Sequence, residues 1–356
     1  MKERSSNIEL FRIVMMLLIV AHHYVVNTGI MDIMLEDATS WQSLFLYMFG
    51  MWGKIGINCF VMITGYFMCK SDITIRKFLK LLLEVLFYNV VCFVVFSIAG
   101  YQSCSLADIV KGITPMRNMM NDFMSCFLMY YLLIPFFNKM LGALERKEHR
   151  NLIVLSLAIL MVWNHFPMVE YKTNYVIWFS VLHVIAAYLR FHEDELAKKY
   201  AWIHSHLGWV TLGFVLMAMI SVYVEILGFG KWCKYYFPYR WVMDCEALLA
   251  VPTSVLLFMW FKSLKVPQSK VINTIAGSTL AVLLIHANSA AEQRWLWHDI
   301  CHISDYVFSS WMPLHAIGCT VVIFAACVLI DQARIYIFEK PTFKVIDKVF
   351  TKYGVK

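Results

Sequence analysis

Apolar residues in this chain fall in long, nearly unbroken runs separated by short polar connectors. A helix that crosses a bilayer needs about 20 predominantly apolar residues. Ten windows meet or approach that length: residues 8–26, 43–68, 78–100, 123–141, 151–166, 175–191, 207–229, 241–261, 271–287 and 312–333. The fifth, sixth and ninth are short. The sixth holds His183 and the fifth ends in "WNHFP". The pattern predicts an all-α, polytopic integral membrane helix bundle of about ten transmembrane helices. It reads as a single domain over 1–356, with the bundle at about 8–333 and a tail at about 334–356. No stretch is Gly/Ser-rich or low-complexity, and no fixed-period repeat is visible.

Composition agrees with the pattern. Hydrophobic residues make up 60% of the chain and charged residues 15%, against roughly 25% charged in a soluble domain. The distribution of positive charge sets the expected orientation. If the N-terminus is cytoplasmic, 22 of the 31 Lys and Arg lie at the two termini and in the connections expected inside, and seven lie in those expected outside. The other two, Arg12 and Lys54, lie within windows. Both termini are therefore expected in the cytoplasm. The net charge of +7 is then mostly an inner basic layer, and no nucleic-acid partner is expected.

The first window is not the core of a cleaved signal peptide. Lys2 and Arg4 fit an n-region, but Arg12 interrupts the apolar stretch and no small-x-small site follows. It reads as a permanent first helix. Ten cysteines form no CxxC pair, and seven fall in or at the ends of windows, where a thiol usually serves as a small apolar filler. Cys104, Cys233 and Cys301 fall in connections expected outside. A disulfide between two of them is open, with nothing in the spacing to choose the pair. "HDICH" (His298, Cys301, His302) is a single short cluster without a second half, so no metal is predicted.

The first helix carries the first candidate chemistry. In "RIVMMLLIVAHH", eleven helical steps separate Arg12 from His23. They leave the two residues about 20° apart around the helix and about 16 Å apart along it. His22 lies roughly 80° from Arg12 on the other side. Ionisable groups inside a membrane are costly, and they usually face a bundle interior or a wet cavity. The stripe therefore reads as a polar path along one helix. The plainer alternatives are an Arg12 that snorkels or pairs with Glu9, and histidines that decorate the interface.

Two further features extend the path. The ninth window, "VINTIAGSTLAVLLIHAN", runs in the same direction as the first and delivers His286 to the level of His23. On the inner side, "KSDITIRKFLKLLLEVLFYN" opens the third helix with Lys70, Arg76, Lys77 and Lys80. Arg76 and Lys80 share a face, as do Lys77 and Lys80. This cationic helix start is either a topology signal or a phosphate-binding patch, the latter helped by the helix N-terminus.

At these residues the chain resembles a known family. "NIELFRIVMMLLIVAHHY" resembles the opening of the acyltransferase-3 membrane family, through its Arg followed eleven positions later by a His. "VMITGYFMCK" resembles the end of that family's second helix, and "RKFLKLLLEVLFYN" its basic third-helix start. "YLLIPFFNKML" resembles its fourth helix and "IWFSVLHVIAAYLR" its sixth. "LFMWFKSLKVPQSKVINTIAGSTLAVLLIHAN" resembles its eighth-to-ninth connection. The motifs occur in the family's order over roughly residues 5–335. The chain is most similar to small ten-helix members that act as O-acetyltransferases. Two departures stand out. The family's Arg-x-x-Arg is here Lys77-x-x-Lys80 with Arg76 adjacent, and lysine holds phosphate as a point charge without arginine's fork. Where relatives often place a Trp after an Asn, this chain has Asn121-Asp122.

The resemblance implies a multi-pass acyltransferase of the bacterial plasma membrane. It would move an acyl group, usually acetyl, from cytosolic acetyl-coenzyme A or another acyl-CoA to a hydroxyl on a cell-surface glycan or lipid-linked saccharide. The family's histidine maps to His23 and its arginine to Arg12. In that reading His23 is the general base for the acceptor hydroxyl. His22 and His286 orient it or polarise the thioester oxygen. Arg12 lines the path of the pantetheine arm, and Arg76, Lys77 and Lys80 meet the phosphates. An acyl-enzyme on Ser, Tyr or His stays open. No Gly-x-Ser-x-Gly is present, which argues against a Ser-His-Asp elbow. Two rivals stand beside this reading: a transporter of a lipid-linked sugar or proton-coupled solute, and a non-catalytic membrane sensor. The transporter predicts broken helices in matched halves, and no such internal symmetry is visible.

Overall fold

Residues 6–26 contain neither glycine nor proline, and they form one continuous helix, α1 (Ser6–Val26). Glu9 sits in its first turn, where an acidic side chain suits the positive end of the helix dipole. At the other end Thr28 Oγ1 donates to the Tyr24 and Val25 carbonyls. Gly29 then adopts φ +75°, a left-handed conformation that ends the helix and that residues with a Cβ rarely adopt. The computed structural model describes residues 5–116, 122–162, 174–229 and 238–353, and all regular structure among them is helical.

Helix starts are set by side-chain caps at the positions where polar residues interrupt the apolar runs. A short α2 (Ile30–Glu36) leads to α3 (Trp41–Gly50), capped by Ser40, and after two residues to α4 (Gly53–Met68). Thr74 caps α5 (Ile75–Ile98), its hydroxyl accepting from the Lys77 N–H. After α6 (Leu106–Ile113), Asp122 caps α7 (Phe123–Ala143) and accepts from the Ser125 N–H at 2.8 Å. A reciprocal Glu145–Glu148 capping box opens α8 (Arg146–Leu157), and Asn174 caps α9 (Tyr175–Phe191). The short α10 (Glu193–Lys199) and α11 (Ala201–Ser205) lead into α12 (Leu207–Val224). Then come α13 (Ala250–Ser263), α14 (Lys270–Gly277), α15 (Thr279–His286) and α16 (Ala290–Arg294). The long α17 (Met312–Arg334) continues through a π-helical turn into α18 (Lys340–Tyr353).

Six helical stretches are long and apolar enough to cross a membrane: Ser6–Val26, Trp41–Met68, Ile75–Ile98, Phe123–Ala143, Leu207–Gly228 and Met312–Tyr353. Two bent pairs bring the number up to eight if each is one span. They are Tyr175–Phe191 with Glu193–Lys199, bent by 78°, and Lys270–His286 with Ala290–Ile300, bent by 91°. The fifth and eighth sequence windows have no counterpart among these. The fifth is α8 and a π-helical turn at Ala158–Val162, and its "WNHFP" lies outside the described residues. In the eighth, residues 241–249 form turns, with the Ala247 N–H bonded to the Asp244 carbonyl and the Leu249 N–H to that of Trp241. That leaves α13 with 14 residues, about 21 Å long and short of a roughly 30 Å hydrocarbon core.

The helix α1 is the axis of the bundle. It packs against α3, α4, α13, α14, α15 and α17, and both large core clusters draw on it, one through Phe11 and Met15, the other through Val20 and Tyr24. Its contact with α4 is close because α4 offers glycine. A Cβ on Gly53 would lie 2.2 Å from His22 Cδ2, and one on Gly56 2.8 Å from Ile19 Cγ1. Small residues let helix backbones approach in this way. Two faces follow, an entry face where α1 starts and a far face where it ends. At the entry face the Ser6 hydroxyl donates to Asn273, and the Asn7 amide donates to the Phe261, Lys262 and Leu264 carbonyls at the end of α13.

Candidate active site

The last turn of α1 and the end of α15 meet at the far face. His23 Nδ1 lies 2.8 Å from His286 Nε2, and the ring centroids are 5.0 Å apart. The hydrogen bonds around the pair fix the proton positions of neutral rings. His286 Nδ1 lies 2.5 Å from the carbonyl oxygen of Val282, one turn back in its own helix. A carbonyl can only accept, so Nδ1 carries the proton and Nε2 carries the lone pair. His23 Nδ1 must then donate to that lone pair, which leaves His23 Nε2 as an unprotonated nitrogen. This tautomer follows from the network of acceptors rather than from hydrogen positions.

His22 is organised the same way. Its Nδ1 donates to the Gly50 carbonyl at 2.5 Å, and its ring lies against Gly53, 5.6 Å from the His23 ring. Both His22 and His23 line a cavity of about 510 Å³, within the range of small-molecule sites. Its single described cation is Lys54, whose Nζ donates to the Tyr175 hydroxyl at 2.6 Å. Asn89 and Asn288, hydrogen-bonded to each other at 3.1 Å, form part of another wall. Asp122 is exposed at the cavity, and its neighbour Asn121 lies outside the described residues. The site therefore holds a nitrogen base, a nearby ammonium group, and amide and carboxylate groups suited to hydroxyl recognition.

The other sequence candidates sit at the entry face. Arg12 is half-buried, with its Nε 3.9 Å from Glu9 Oε2, and it does not line the cavity. Arg76 makes a two-pronged contact with Asp347, Nε to Oδ1 at 2.7 Å and Nη2 to Oδ2 at 3.0 Å. Lys80 pairs with Glu339 at 2.6 Å. Lys77 donates to the Ser71 hydroxyl and the Asp72 carbonyl. So the basic start of α5 is held against the α17–α18 segment, while Asn89 and Phe93 of the same helix line the cavity. Sixteen residues from Lys77 to Phe93 span about 24 Å. The structure thus brings His22, His23 and His286 together and keeps the three α5 cations apart from them.

Sequence reasoning gave no role to Lys54, Tyr175, Asn89 or Asn288. Lys54 did carry a signal, a charge inside an apolar window, the same signal that singled out Arg12. A second buried group was also missed. Asp331 Oδ1 accepts from the Tyr88 hydroxyl at 2.7 Å and from Arg334 Nε at 2.6 Å, and Glu84 lies 3.5 Å from Arg334. Among the described residues no group of three or more His, Cys, Asp and Glu is placed to hold a metal ion.

Comparison with known proteins agrees with this architecture. A family profile described as an acyltransferase domain matches residues 5–332. No curated protein and no solved structure matches the chain significantly. The profile spans the entire helical region from the start of α1 almost to the end of α17, and with it both histidine-bearing helices. The chain belongs to the acyltransferase-3 family of membrane acyltransferases.

Proposed function

We propose that this acyltransferase moves an acetyl group from cytosolic acetyl-coenzyme A to a hydroxyl of a glycan or lipid-linked saccharide on the outer side of the plasma membrane. The observation that supports it most is the His23–His286 pair, which leaves His23 Nε2 unprotonated in a polar cavity. A neutral hydroxyl is a weak nucleophile, and a positioned imidazole that takes its proton during attack lowers the barrier. His23 Nε2 takes the acceptor proton as the acceptor oxygen attacks the thioester carbon. The His23 Nδ1–H bond to His286 Nε2 holds the ring in orientation while it is charged. The carbonyl becomes a tetrahedral oxyanion, and Lys54, beside the histidines, is the group suited to stabilise it. When the intermediate collapses, the C–S bond breaks and the leaving thiolate takes the proton from His23 Nε2.

The donor is read at the entry face, taken as cytosolic from the excess of Lys and Arg there. Its phosphates would exchange places with Asp347 and Glu339 on Arg76 and Lys80, with Lys77 beside them. The pantetheine arm would pass Arg12 to reach the histidines, a rise of about 16 Å along α1. The test is the release of coenzyme A thiol by purified protein given acetyl-coenzyme A and a saccharide acceptor. His23→Ala should lower turnover by about 10²- to 10⁴-fold while coenzyme A still raises the melting temperature. Turnover near that of the parent in a folded His23→Ala protein overturns the assignment.

A further inference from the structure

The connection from α16 to α17 folds back into the bundle at the far face. Trp297, Cys301, Ile303 and Val307 are all buried there, packed with Val20, Tyr24 and Met312. This places the Cys301 thiol within hydrogen-bonding reach of the Cys319 thiol, which lies two turns into α17. His315 ties the two segments together. It hydrogen-bonds the backbone of Cys301, its Nε2 lies 3.5 Å from Cys319 Sγ, and its Nδ1 lies 2.8 Å from the Tyr24 hydroxyl. The Tyr306 ring stacks on it with centroids 3.9 Å apart. These residues do not converge on a metal-binding point, and neither thiol is needed by the histidine chemistry. We propose that Cys301 and Cys319 are a modification site, the two halves of a disulfide that forms by exchange with an extracytoplasmic disulfide oxidant.

The chemistry balances in two exchanges. The Cys319 thiolate attacks a sulfur of the oxidant's disulfide, forming a mixed disulfide and expelling one oxidant thiolate. The Cys301 thiolate attacks Cys319 Sγ, forming the Cys301–Cys319 bond and expelling the second. The two protons lost by the cysteines go to the expelled thiolates, so two thiols are oxidised and one disulfide is reduced to a dithiol. His315, beside Cys319, is placed to carry the first proton. The bond ties the connection to α17. That connection follows Asn288, Ser289 and Gln293, which line the cavity, so the disulfide fastens one wall of the site.

The proposal rests on the far face being extracytoplasmic, and Cys104 reports that face independently. It is exposed and lies between α5 and α6, at the same end of α5 as the cavity. The experiment combines two readouts on the full-length protein. A membrane-impermeant maleimide is applied to intact cells. The protein is then alkylated and digested without reduction, and its peptides are examined by mass spectrometry. The expected result is Cys104 labelled in intact cells and a peptide pair joined through Cys301 and Cys319. Reduction should lower the melting temperature of the parent by several degrees, as expected when a loop of this size loses its cross-link. It should leave Cys301→Ala and Cys319→Ala unchanged. Labelled Cys104 with Cys301 and Cys319 both recovered as free thiols, or either one joined to another cysteine, overturns the disulfide and leaves the orientation standing. Cys104 protected until the cells are permeabilised overturns the orientation, and the proposal with it.

Discussion

Gly53 is the residue whose replacement tests the site's packing most directly. A methyl group there would lie 2.2 Å from His22 Cδ2, 2.3 Å from Cγ and 2.7 Å from Nε2. The obstacle is a rigid ring, and the ring is held by its bond to the Gly50 carbonyl. Either α1 and α4 separate or His22 rotates and gives up that bond. Overpacking of a tight contact costs about 1–3 kcal/mol, and a lost hydrogen bond about 0.5–1.5 kcal/mol. Gly53→Ala should therefore destabilise the protein by about 2–4 kcal/mol in total. His22→Ala removes the obstacle, so adding Gly53→Ala to it should cost below about 1 kcal/mol. The four proteins of this cycle are compared by thermal unfolding in one detergent. The expected result is strong non-additivity, with the double variant much closer to His22→Ala than the sum of the singles requires. Turnover should fall in Gly53→Ala, because a displaced His22 ring presses on His23. Additivity within about 0.5 kcal/mol refutes the contact and with it the described seating of His22.

Two other expectations concern the entry face. Arg334→Leu strands Asp331 and Glu84 in a buried site, and breaking such a pair costs about 3–5 kcal/mol; a melting temperature equal to the parent's would show that the network carries no stability. Coenzyme A should raise the melting temperature by mass action, and Lys77→Ala/Lys80→Ala should shrink that shift; an unchanged shift places the phosphates elsewhere. Asp347→Asn should enlarge the shift, because it removes the carboxylate that competes for Arg76, while changing the unliganded protein by less than about 1 kcal/mol, as usual for an exposed pair.

What the sequence made legible was what lies along one helix. The eleven-residue interval from Arg12 to His23 is a local fact, and so is the direction of the run ending at His286. Together they put two imidazoles at one level, and the structure has them in contact. What escaped was of two kinds. Hydropathy windows record composition and not backbone breaks, so residues 241–249 read as the start of a span although Asp244 and Ala247 close a turn there. Contacts between distant segments leave no local trace. The pairing of Arg76 with Asp347 joins residues 271 positions apart. That of Lys54 with Tyr175 joins residues 121 apart. Gly53 looked like any small residue until His22 was seen lying on it.

The hydrogen bond between His23 and His286 joins positions 263 residues apart, and that distance bears on how the enzyme is made. Chains emerge from the ribosome N-terminus first, at about 5–20 residues per second. The first helix, with His23, therefore waits for tens of seconds while the intervening spans are synthesised and inserted. During that interval His23 has no partner for its Nδ1–H, and the α15 wall of the cavity does not exist. A truncated or stalled chain that stops before His286 contains the base but not the group that orients it. Thioester chemistry is thereby withheld from incomplete chains, and quality control of the reaction is built into the order of translation.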